Sequence, residues 1–440
     1  MAGGKQKERI SERDIALDIL LDMERNGTLS SRALEDGLRK IQFEDKECRA
    51  FVSRLVEGTT EYRLQLDAVL DHYAKVPVKK QKPKVRCILR MSVYQLLYMD
   101  RVPDRAVLSE AGRMMRAHHF EGLSGVVNGI LRSVQRGIEA GEVQALIEGS
   151  RELKFSTPAW LVDRLTEEYG EERSDRILAS SFQERPLTIR CNMKKQSPEE
   201  LAAFLKEKGV EAGPGALGAA ALTIPSIDFV RRLPGYREGR FSVQDESSML
   251  LVEALGIKEG IRLLDVCAAP GGKSCYAAEL GALVTSRDIS EEKTQRIMEN
   301  AERLGLDITA EVRDATEENR EDFEKYDMVL ADVPCSGLGV MGRKNDIKYH
   351  ASPESVTELA KLGQEILRCA AKYVRPGGKL MFSTCTILAE ENQEAAEHFL
   401  AEHPEYRKAE EKQFLQGIDP CDGFYYCLMI RGDSLTETPD

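Results

Sequence analysis

The sequence predicts a multidomain protein with an all-α N-terminal region, a small α+β module and a C-terminal α/β domain. Three observations predict this order. Residues 1–145 repeat the apolar period of helices with almost no strand pattern. Residues 146–240 read as strand, helix and strand, and from residue 241 short apolar runs alternate with helical segments. Such alternation is typical of a doubly wound, mostly parallel sheet, so we expect three domains with these boundaries.

The composition excludes several classes of protein. With 42% hydrophobic and 31% charged residues over 440 positions, the chain is ordinary for a globular protein. The opening MAGGKQKERISERD lacks the apolar core of a signal peptide, and no run approaches the roughly 18 apolar residues of a membrane span. Ten cysteines without a CxxC pair suggest neither a disulfide scaffold nor a zinc site. We expect a cytoplasmic, reducing setting, no membrane and no metal.

In the N-terminal region, Ser11 and Asp14 suggest a capping box before a helix that Gly27 ends. Further helices are expected over residues 30–41, 45–60, 63–72, 85–99, 105–117 and 123–136. The net charge of −12 argues mildly against nucleic acid as a partner. A local basic cluster argues for it, because residues 72–99 contain no acid. That cluster includes Lys79, Lys80, Lys82, Lys84 and Arg86.

The middle module should hold strands over 187–191 and 221–224. A helix over 198–208, capped by Ser197, lies between them, and the Gly- and Ala-rich stretch 213–221 reads as a loop. In the C-terminal domain, strands are expected over 261–266, 282–286, 308–312, 328–331, 379–383 and 424–430. Helices should follow through residue 280, between Ser290 and Gly305, over 356–374 and over 391–402. Pro376-Gly377-Gly378 reads as the end of the long third helix.

Polar groups follow the first three strands of this domain. The first strand ends in CAAPGGKS, where a phosphate-binding P-loop would need glycine at position 267 and the chain has Cys267. Asp288 and Asp314 end the next two strands, the usual places for carboxylates that hold ribose hydroxyls. Because no GxGxxG is present, NAD is disfavoured. The pattern favours a different nucleoside-containing cofactor.

Two thiols and one acid end the next two strands. The run MVLA leads into Asp332-Val333-Pro334-Cys335, where proline must stop the strand, and Cys385 ends another strand. A lone cysteine in such a turn would be structural, but two at one sheet edge suggest chemistry. Position 5 of cytosine becomes nucleophilic only after a thiolate adds to C6. A carboxyl group at N3 and a second thiol for release would complete that reaction.

Here the sequence resembles a known family. FSVQDESS, LLDVCAAPGGKS, RDIS, RDA, DVPCSGLG, FSTCTILAEEN and DGFYYC are similar to motifs of RNA cytosine-5 methyltransferases that use S-adenosylmethionine. The Lys-rich loop, MSVYQLLYM and VVNGILR resemble a NusB-like RNA-binding domain. The whole chain resembles the ribosomal RNA small subunit methyltransferase B family (RsmB, also called Sun or Fmu). This implies a Rossmann-like methyltransferase domain and an RRM-like middle module.

The resemblance also implies roles for individual residues. Cys385 is the attacking thiol, Cys335 assists product release, and Lys273 lies near the active site. Asp332 borders both cofactor and base. The cofactor residues would be Cys267, Ala268, Ala269, Pro270, Gly271, Gly272 and Lys273 at the methionine end, Asp288 at the ribose and Asp314 at the adenine. Val333, Leu338 and Tyr349 depart from the family pattern and leave base contacts open.

The implied function is methylation of a cytosine at C5 in 16S ribosomal RNA, at the 967-type site, by a monomer. The alternative is the same chemistry on transfer RNA or another rRNA cytosine. A non-catalytic RNA-binding or antitermination factor would need only the helical domain, and the Cys335, Cys385 and Asp332 set argues against it. A thiol-redox protein is disfavoured because CxxC is missing.

Overall fold

The computed structural model describes residues 11–41, 46–183, 185–225 and 230–433. Residues 1–10 and the predicted helix start at residue 45 lie outside this part of the chain. The chain divides into two compact units. The N-terminal unit contains the described residues up to Arg164 together with Lys344–His350, and the C-terminal unit contains the rest.

The N-terminal unit is all-α in its described residues, as predicted. Its helices are Glu12–Asn26, Ser30–Lys40, Lys46–Glu61, Arg63–Tyr73, Pro83–Tyr98, Asp104–Ala117, Glu121–Glu139, Glu142–Glu148, Arg151–Lys154 and Ile347–His350. The last three were not predicted. The predicted capping box at Ser11 is not formed. The Ser11 side chain accepts from the Arg13 backbone N–H, while Asp14 pairs with Arg113 at 2.8 Å.

The helix Pro83–Tyr98 supplies much of this unit's core. It begins with proline, which lacks the N–H that a first helical turn leaves unpaired. Ile88, Leu89 and Val93 on this helix are buried. Arg90 anchors the helix through two hydrogen bonds to the Asp67 carboxylate, at 2.6 and 2.7 Å. Such paired, charge-assisted bonds fix orientation as well as distance.

The C-terminal unit contains a small antiparallel sheet. Its strands are β1 (Leu187–Cys191), β2 (Gly213–Pro214), β3 (Ala221–Ile224) and β4 (Phe241–Val243), in the order β2-β3-β1-β4. The helix Pro198–Glu207 begins with the predicted cap at Ser197, here a full capping box with Glu200, and packs Leu201 and Leu205 against the sheet. Strand β2 lies in the predicted loop, and β4 lies just beyond the predicted module boundary. The helix Glu171–Ala179 precedes the sheet, and the helix Ala159–Tyr169 before it contains residues of both units.

The second sheet of this unit is mostly parallel, as predicted, and has seven strands, of which Tyr406–Phe414 was not predicted. Its strands are β5 (Arg262–Asp265), β6 (Leu283–Asp288), β7 (Ile308–Val312), β8 (Tyr326–Asp332), β9 (Val374–Thr384), β10 (Tyr406–Phe414) and β11 (Phe424–Arg431). The order is β10-β11-β9-β8-β5-β6-β7, with β5 to β9 parallel and β10 and β11 antiparallel. Its helices are Glu246–Ala254, Gly272–Glu279, Glu291–Leu304, Pro353–Ala371 and Gln393–Glu402.

Two apolar layers cover the faces of this sheet. Leu263, Leu330 and Met381 belong to one layer, and Leu264, Val329 and Leu380 belong to the other. The central strands are therefore buried on both sides, which explains why they read as continuous apolar runs. Pro376–Gly378, predicted to end a helix, lie instead inside β9, where its pairing with β8 is irregular.

Short 3₁₀ turns occupy Val78–Lys80, Ser180–Phe182, Val230–Arg232, Arg320–Asp322, Leu338–Val340 and Ala389–Glu391. Within the described residues, no helix is long and apolar enough to cross a bilayer. The same residues contain no group of three or more His, Cys, Asp or Glu side chains that could hold a metal ion.

Candidate active site

The two cysteines singled out by the sequence lie side by side. Strands β8 and β9 are parallel neighbours with Asp332 opposite Ser383, so both strands deliver the following residues to the same edge. Cys335 follows β8 after Pro334, and Cys385 follows β9 directly. Their sulfur atoms are 3.4 Å apart. The prediction that these thiols end neighbouring strands is confirmed.

Backbone hydrogen bonds fix the two cysteine turns to each other. The Val333 N–H donates to the Ser383 carbonyl at 3.0 Å, and the Gly339 N–H donates to the Cys385 carbonyl at 3.0 Å. Gly339 also needs to be glycine, because a Cβ there would lie 2.1 Å from the Gly423 carbonyl oxygen. The turn after β8 is therefore held at both its ends.

An ion pair lies beside the thiols. Lys273, in the first turn of the helix Gly272–Glu279, places its Nζ 2.6 Å from Asp332 Oδ2. Ser383 Oγ donates to the other carboxylate oxygen at 2.8 Å. Burial by itself would lower the pKa of Lys273, but the Asp332 carboxylate, with smaller contributions from Asp265 and Cys385, raises it overall. The ammonium group therefore stays charged beside Asp332.

The environment of Cys335 favours its thiol form. Its hydrogen bond with Cys385, followed by burial, raises the pKa of Cys335 well above the usual range of a cysteine. A protonated Cys335 can donate its S–H to the Cys385 sulfur. Because such a bond stabilises negative charge on the acceptor, the pair is arranged with one proton donor and one acceptor.

The CAAPGGK segment forms a tight turn between β5 and the helix Gly272–Glu279. Gly271 has a φ of 95°, a left-handed conformation that favours glycine, and a Cβ there would contact Ile297 at 3.2 Å. The Ala269 N–H donates to Asp288 Oδ2 at 2.9 Å, which ties the turn to the end of β6. Ala269 in this turn and Asp288 thus lie together, at the ends of the parallel neighbours β5 and β6.

Asp265 ends β5 and was not among the predicted site residues. One carboxylate oxygen accepts from Ser274 Oγ at 2.7 Å. The other, Oδ1, is buried without a hydrogen-bond partner of normal geometry among the described residues. Burial raises the pKa of Asp265 to about 7. The sequence signal was available, since Asp265 ends the strand before the CAAPGGK turn.

Asp288 ends β6, Asp314 lies two residues beyond β7, and both carboxylates accept hydrogen bonds from nearby backbone. Asp288 Oδ1 accepts from the Ile289 N–H at 2.8 Å and pairs with Lys293 at 2.9 Å. Asp314 Oδ1 accepts from the Thr316 N–H at 2.9 Å and the Thr316 hydroxyl at 2.7 Å. The Thr316 hydrogen bonds lower the pKa of Asp314. Next to Asp288, Ile289 is 60% exposed, an apolar surface at the sheet edge that the sequence reasoning did not single out.

The predicted basic cluster lies in the N-terminal unit. Lys79, Lys80 and Lys82 are exposed. Arg86 is ion-paired with Glu24, and the Lys84 ammonium lies 3.4 Å from His118 Nδ1. The exposed part of the cluster is therefore smaller than the sequence suggested.

Tyr349, where the sequence departs from the family pattern, also lies in the N-terminal unit. Its hydroxyl lies 2.7 Å from the Glu61 carbonyl oxygen and 2.8 Å from that of Ser156, and Arg63 lies 3.9 Å above its ring centre. These contacts of Tyr349 thus join elements of one helical unit.

Three family models match the chain. One, described as 16S rRNA methyltransferase RsmB/F, matches residues 252–424. The NusB family model matches residues 10–136, and a ferredoxin-like domain of RsmF/B-like methyltransferases matches residues 157–227. These matches agree with the helical bundle, the small sheet and the large mixed sheet described above.

Two curated relatives match this chain over nearly its whole length. The chain is 35% identical to a probable ribosomal RNA small subunit methyltransferase B of Bacillus subtilis, over 96% of this chain and 99% of that protein. It is 32% identical to the Klebsiella pneumoniae ribosomal RNA small subunit methyltransferase B, over 97% and 99% of the two chains.

The crystal structure of PH0851 has the same fold, with a TM-score of 0.81 at 23% identity over 96% and 99% of the chains. NSun6 from Pyrococcus horikoshii, solved with SFG, matches with a TM-score of 0.57 at 19% identity, over 62% and 98%. From the identity shared with its full-length relatives, the chain belongs to the ribosomal RNA small subunit methyltransferase B family, a family of S-adenosylmethionine-dependent RNA methyltransferases.

Proposed function

We propose that this chain transfers a methyl group from S-adenosylmethionine to C5 of one cytosine in 16S ribosomal RNA, at the 967-type site. The reaction passes through a covalent bond between Cys385 and C6 of the base. One observation carries the proposal: two thiols 3.4 Å apart lie beside the Lys273–Asp332 ion pair at the carboxyl ends of parallel strands.

The residues around the CAAPGGK turn fit S-adenosylmethionine. Asp265 offers a buried carboxylate oxygen that lacks a partner of normal geometry among the described residues, suited to a positively charged or N–H-bearing methionine end. Asp288 and Asp314 would serve the ribose and adenine, and exposed Ile289 offers an apolar face for a base. When bound, the cofactor supplies an electrophilic methyl group on a sulfonium.

Cys385 acts as the nucleophile. Its thiolate adds to C6, a new C–S bond forms, and the ring electrons move toward C5. Cys335, whose pKa is raised by its hydrogen bond with Cys385 and by burial, keeps its own proton and donates to Cys385 before attack. The two cysteines therefore do not compete as nucleophiles.

The Lys273–Asp332 ion pair lies where charge develops on the cytosine ring in the proposed reaction. Negative charge develops at the N3 and O2 edge as the thiolate adds, and the Lys273 ammonium, which Asp332 holds in place, stabilises it there. After methyl transfer the C5 proton must leave so that the C–S bond can break. As the C5 proton passes to the Cys335 sulfur, Cys335 gives its own proton to the departing Cys385 sulfur 3.4 Å away, so the methylated base is freed and both cysteines end as thiols.

In this proposal residues 1–145 form the NusB-like domain, 146–240 the ferredoxin-like module and 241–440 the methyltransferase domain. The first two of these bind RNA. Exposed Lys79, Lys80 and Lys82 contact phosphates, which needs positive charge rather than base-specific geometry. A cytosine stacked in a helix is unreachable, so the target base must be unpaired or flipped out. The reaction needs no metal, and free thiols suit a reducing compartment.

Bisulfite sequencing of ribosomal and transfer RNA tests the proposal, because 5-methylcytosine resists conversion. Cells lacking the protein are compared with the same cells carrying the wild type or Cys385→Ala. We expect one 16S cytosine to lose its resistance in the deletion strain and to regain it only with the wild type. A change confined to transfer RNA or to another rRNA site would assign the same chemistry elsewhere. No changed cytosine at all would contradict the proposal.

A further inference from the structure

Glu391 is a buried carboxylate that the reaction above does not use. It is 3% exposed and follows Cys385 by one short turn, in the segment LAEEN. Within the described part of the chain it makes no ion pair with lysine, arginine or histidine. Burying a carboxylate away from water without a cation is costly unless hydrogen bonds replace the lost hydration.

The hydrogen bonds that satisfy Glu391 come from the residue after Cys335. The Ser336 backbone N–H donates to Oε1 at 2.7 Å, and the Ser336 hydroxyl donates to Oε2 at 2.5 Å. The same hydroxyl lies 2.8 Å from Thr386 Oγ1, in the residue after Cys385. Glu391 therefore connects the two residues that follow the two thiols.

Asn392, the next residue, holds the other turn. Its Oδ1 accepts from the Thr384 hydroxyl, and its Nδ2 donates to the Thr386 carbonyl at 3.1 Å. Nδ2 also donates to Gln413 Oε1 at 2.8 Å, and Asn392 is fully buried. Residues on both sides of Cys385 are thus bound to one amide side chain.

We propose that Glu391 is a positioning residue for the methyl-transfer reaction: with Asn392 it binds the two cysteine turns together and keeps Cys335 against Cys385. This deepens the proposed function and rests on it for the consequence in catalysis. The charge on Glu391 acts in the same direction, since it contributes to raising the pKa of Cys335, after the Cys385 hydrogen bond and burial. Without the hydrogen bonds of Glu391 and Asn392, Cys385 can still attack the base, while the release that Cys335 assists is slowed.

The distance between the thiols can be tested without RNA. Diamide, an azo oxidant, removes two electrons and two protons from a pair of adjacent thiols and leaves a disulfide. The rate of disulfide formation in the full-length chain without RNA reports how closely Cys335 and Cys385 are held. Alkylation followed by peptide mass spectrometry identifies the Cys335–Cys385 disulfide. We expect Glu391→Ala to slow this oxidation by about tenfold or more, because misplacement of reacting groups by an ångström is heavily penalised.

Three further variants separate positioning from general damage. Glu391→Gln should recover part of the rate, since its amide oxygen can still accept from the Ser336 N–H. Glu390→Ala is the matched control, because Glu390 accepts from the Thr357 hydroxyl instead, at 2.6 Å, and its rate should equal that of the wild type. If Glu391→Ala fails to fold, Ser336→Ala removes the hydroxyl link to Glu391 and Thr386 and should slow oxidation as well.

A folded Glu391→Ala chain that oxidises at the wild-type rate would overturn the proposal. So would an equal slowing by Glu390→Ala, which would indicate a general effect on this turn. In single-turnover reactions, the expected signature is accumulation of a covalent RNA adduct with little change in the RNA concentration for half-maximal rate. If the wild-type protein did not methylate the RNA, the proposed function would be contradicted. The oxidation rates would still decide the role of Glu391.

Discussion

Lys273 Nζ lies 2.6 Å from Asp332 Oδ2, and this contact joins the turn after β5 to the end of β8. The two motifs that the sequence suggests for cofactor and for base therefore meet through one ion pair. Because β5 and β8 are adjacent parallel strands, the pair lies where a methyl donor and a pyrimidine could approach each other.

Replacing Lys273 by methionine should lower methylation strongly. Lys273→Met keeps the side-chain length but leaves Asp332 without its cation, so ring charge is no longer stabilised. We expect the single-turnover rate to fall about a hundredfold or more, the usual cost of removing one such group. Lys325→Met is the control, since Lys325 pairs with Asp322 at 3.2 Å near the start of β8. A Lys273→Met rate within twofold of the wild type would remove this residue from the reaction.

Cys385→Ala should abolish both methylation and the covalent RNA adduct. Without the sulfur no bond to C6 can form, and Cys335, held in its thiol form, does not replace it. Transfer of a labelled methyl group to RNA measures the first effect, and denaturing gels measure the second. Cys369→Ala, which changes a buried cysteine on the helix Pro353–Ala371, should retain activity. Residual methylation in Cys385→Ala would mean that another residue attacks the base.

Asp265 should make the stability of the protein fall as pH rises from about 4 to about 7. Its pKa in the folded chain is raised by burial to about 7, above the ordinary value of 3.8. In this window the unfolded chain loses the proton while the folded chain keeps it, so folding is progressively disfavoured. The slope contributed by one such group is at most about 1.4 kcal/mol per pH unit.

Urea unfolding of the wild type and Asp265→Asn at pH 5 and pH 7 isolates this contribution, because other carboxyl groups titrate alike in both. The asparagine variant should lose less stability between the two pH values. Equal losses in the two proteins would show that the Asp265 carboxyl is not perturbed in the way described.

The buried ion pair between Arg190 and Glu279 should be important for stability. The guanidinium on β1 lies 2.7 Å from the carboxylate, and both side chains are at most 1% exposed. Arg190 also donates to the Gly272 carbonyl at 3.0 Å, which links the small sheet to the helix that carries Lys273. Glu279→Gln leaves a buried charge without its partner and should lower the free energy of unfolding by roughly 3 kcal/mol.

The matched control for this pair is Glu35→Gln, whose partner Arg39 lies at 3.2 Å on an exposed helix surface. Its effect should stay below about 1 kcal/mol, the range of exposed pairs. Chemical unfolding monitored by circular dichroism gives both values. Equal, small effects of the two substitutions would mean that the Arg190–Glu279 pair contributes little.

Much of the fold could be predicted because its elements carry local patterns. The central strands are apolar on both faces, and the helices of the N-terminal unit keep their apolar period. Strand β10 was missed for a physical reason: its sequence YRKAEEKQF is mostly charged, as is common at the exposed edge of a sheet. Pairing of β4 with β1 joins residues far apart in sequence, which no local pattern reveals.

The sequence predicts the reactive residues of the candidate site. It does not predict the tertiary contacts that hold them in place. Asp332, Cys335 and Cys385 end strands, so sheet geometry alone brings them to one edge. The role of Glu391 depends on its tertiary contact with Ser336, and from sequence it reads as the beginning of a helix. The placement of Lys344–His350 in the N-terminal unit is also a tertiary fact that periodicity cannot give.

The most direct test of the account is the fate of RNA on Cys335→Ala. Enzyme, S-adenosylmethionine and a 16S RNA fragment are mixed, denatured and separated on a gel, and the crosslinked peptide is identified by mass spectrometry. We predict a denaturation-resistant adduct through Cys385, because attack and methyl transfer proceed while release stalls, and no adduct when Cys385→Ala is added. Normal turnover by Cys335→Ala with no adduct would contradict the division of labour between the two thiols.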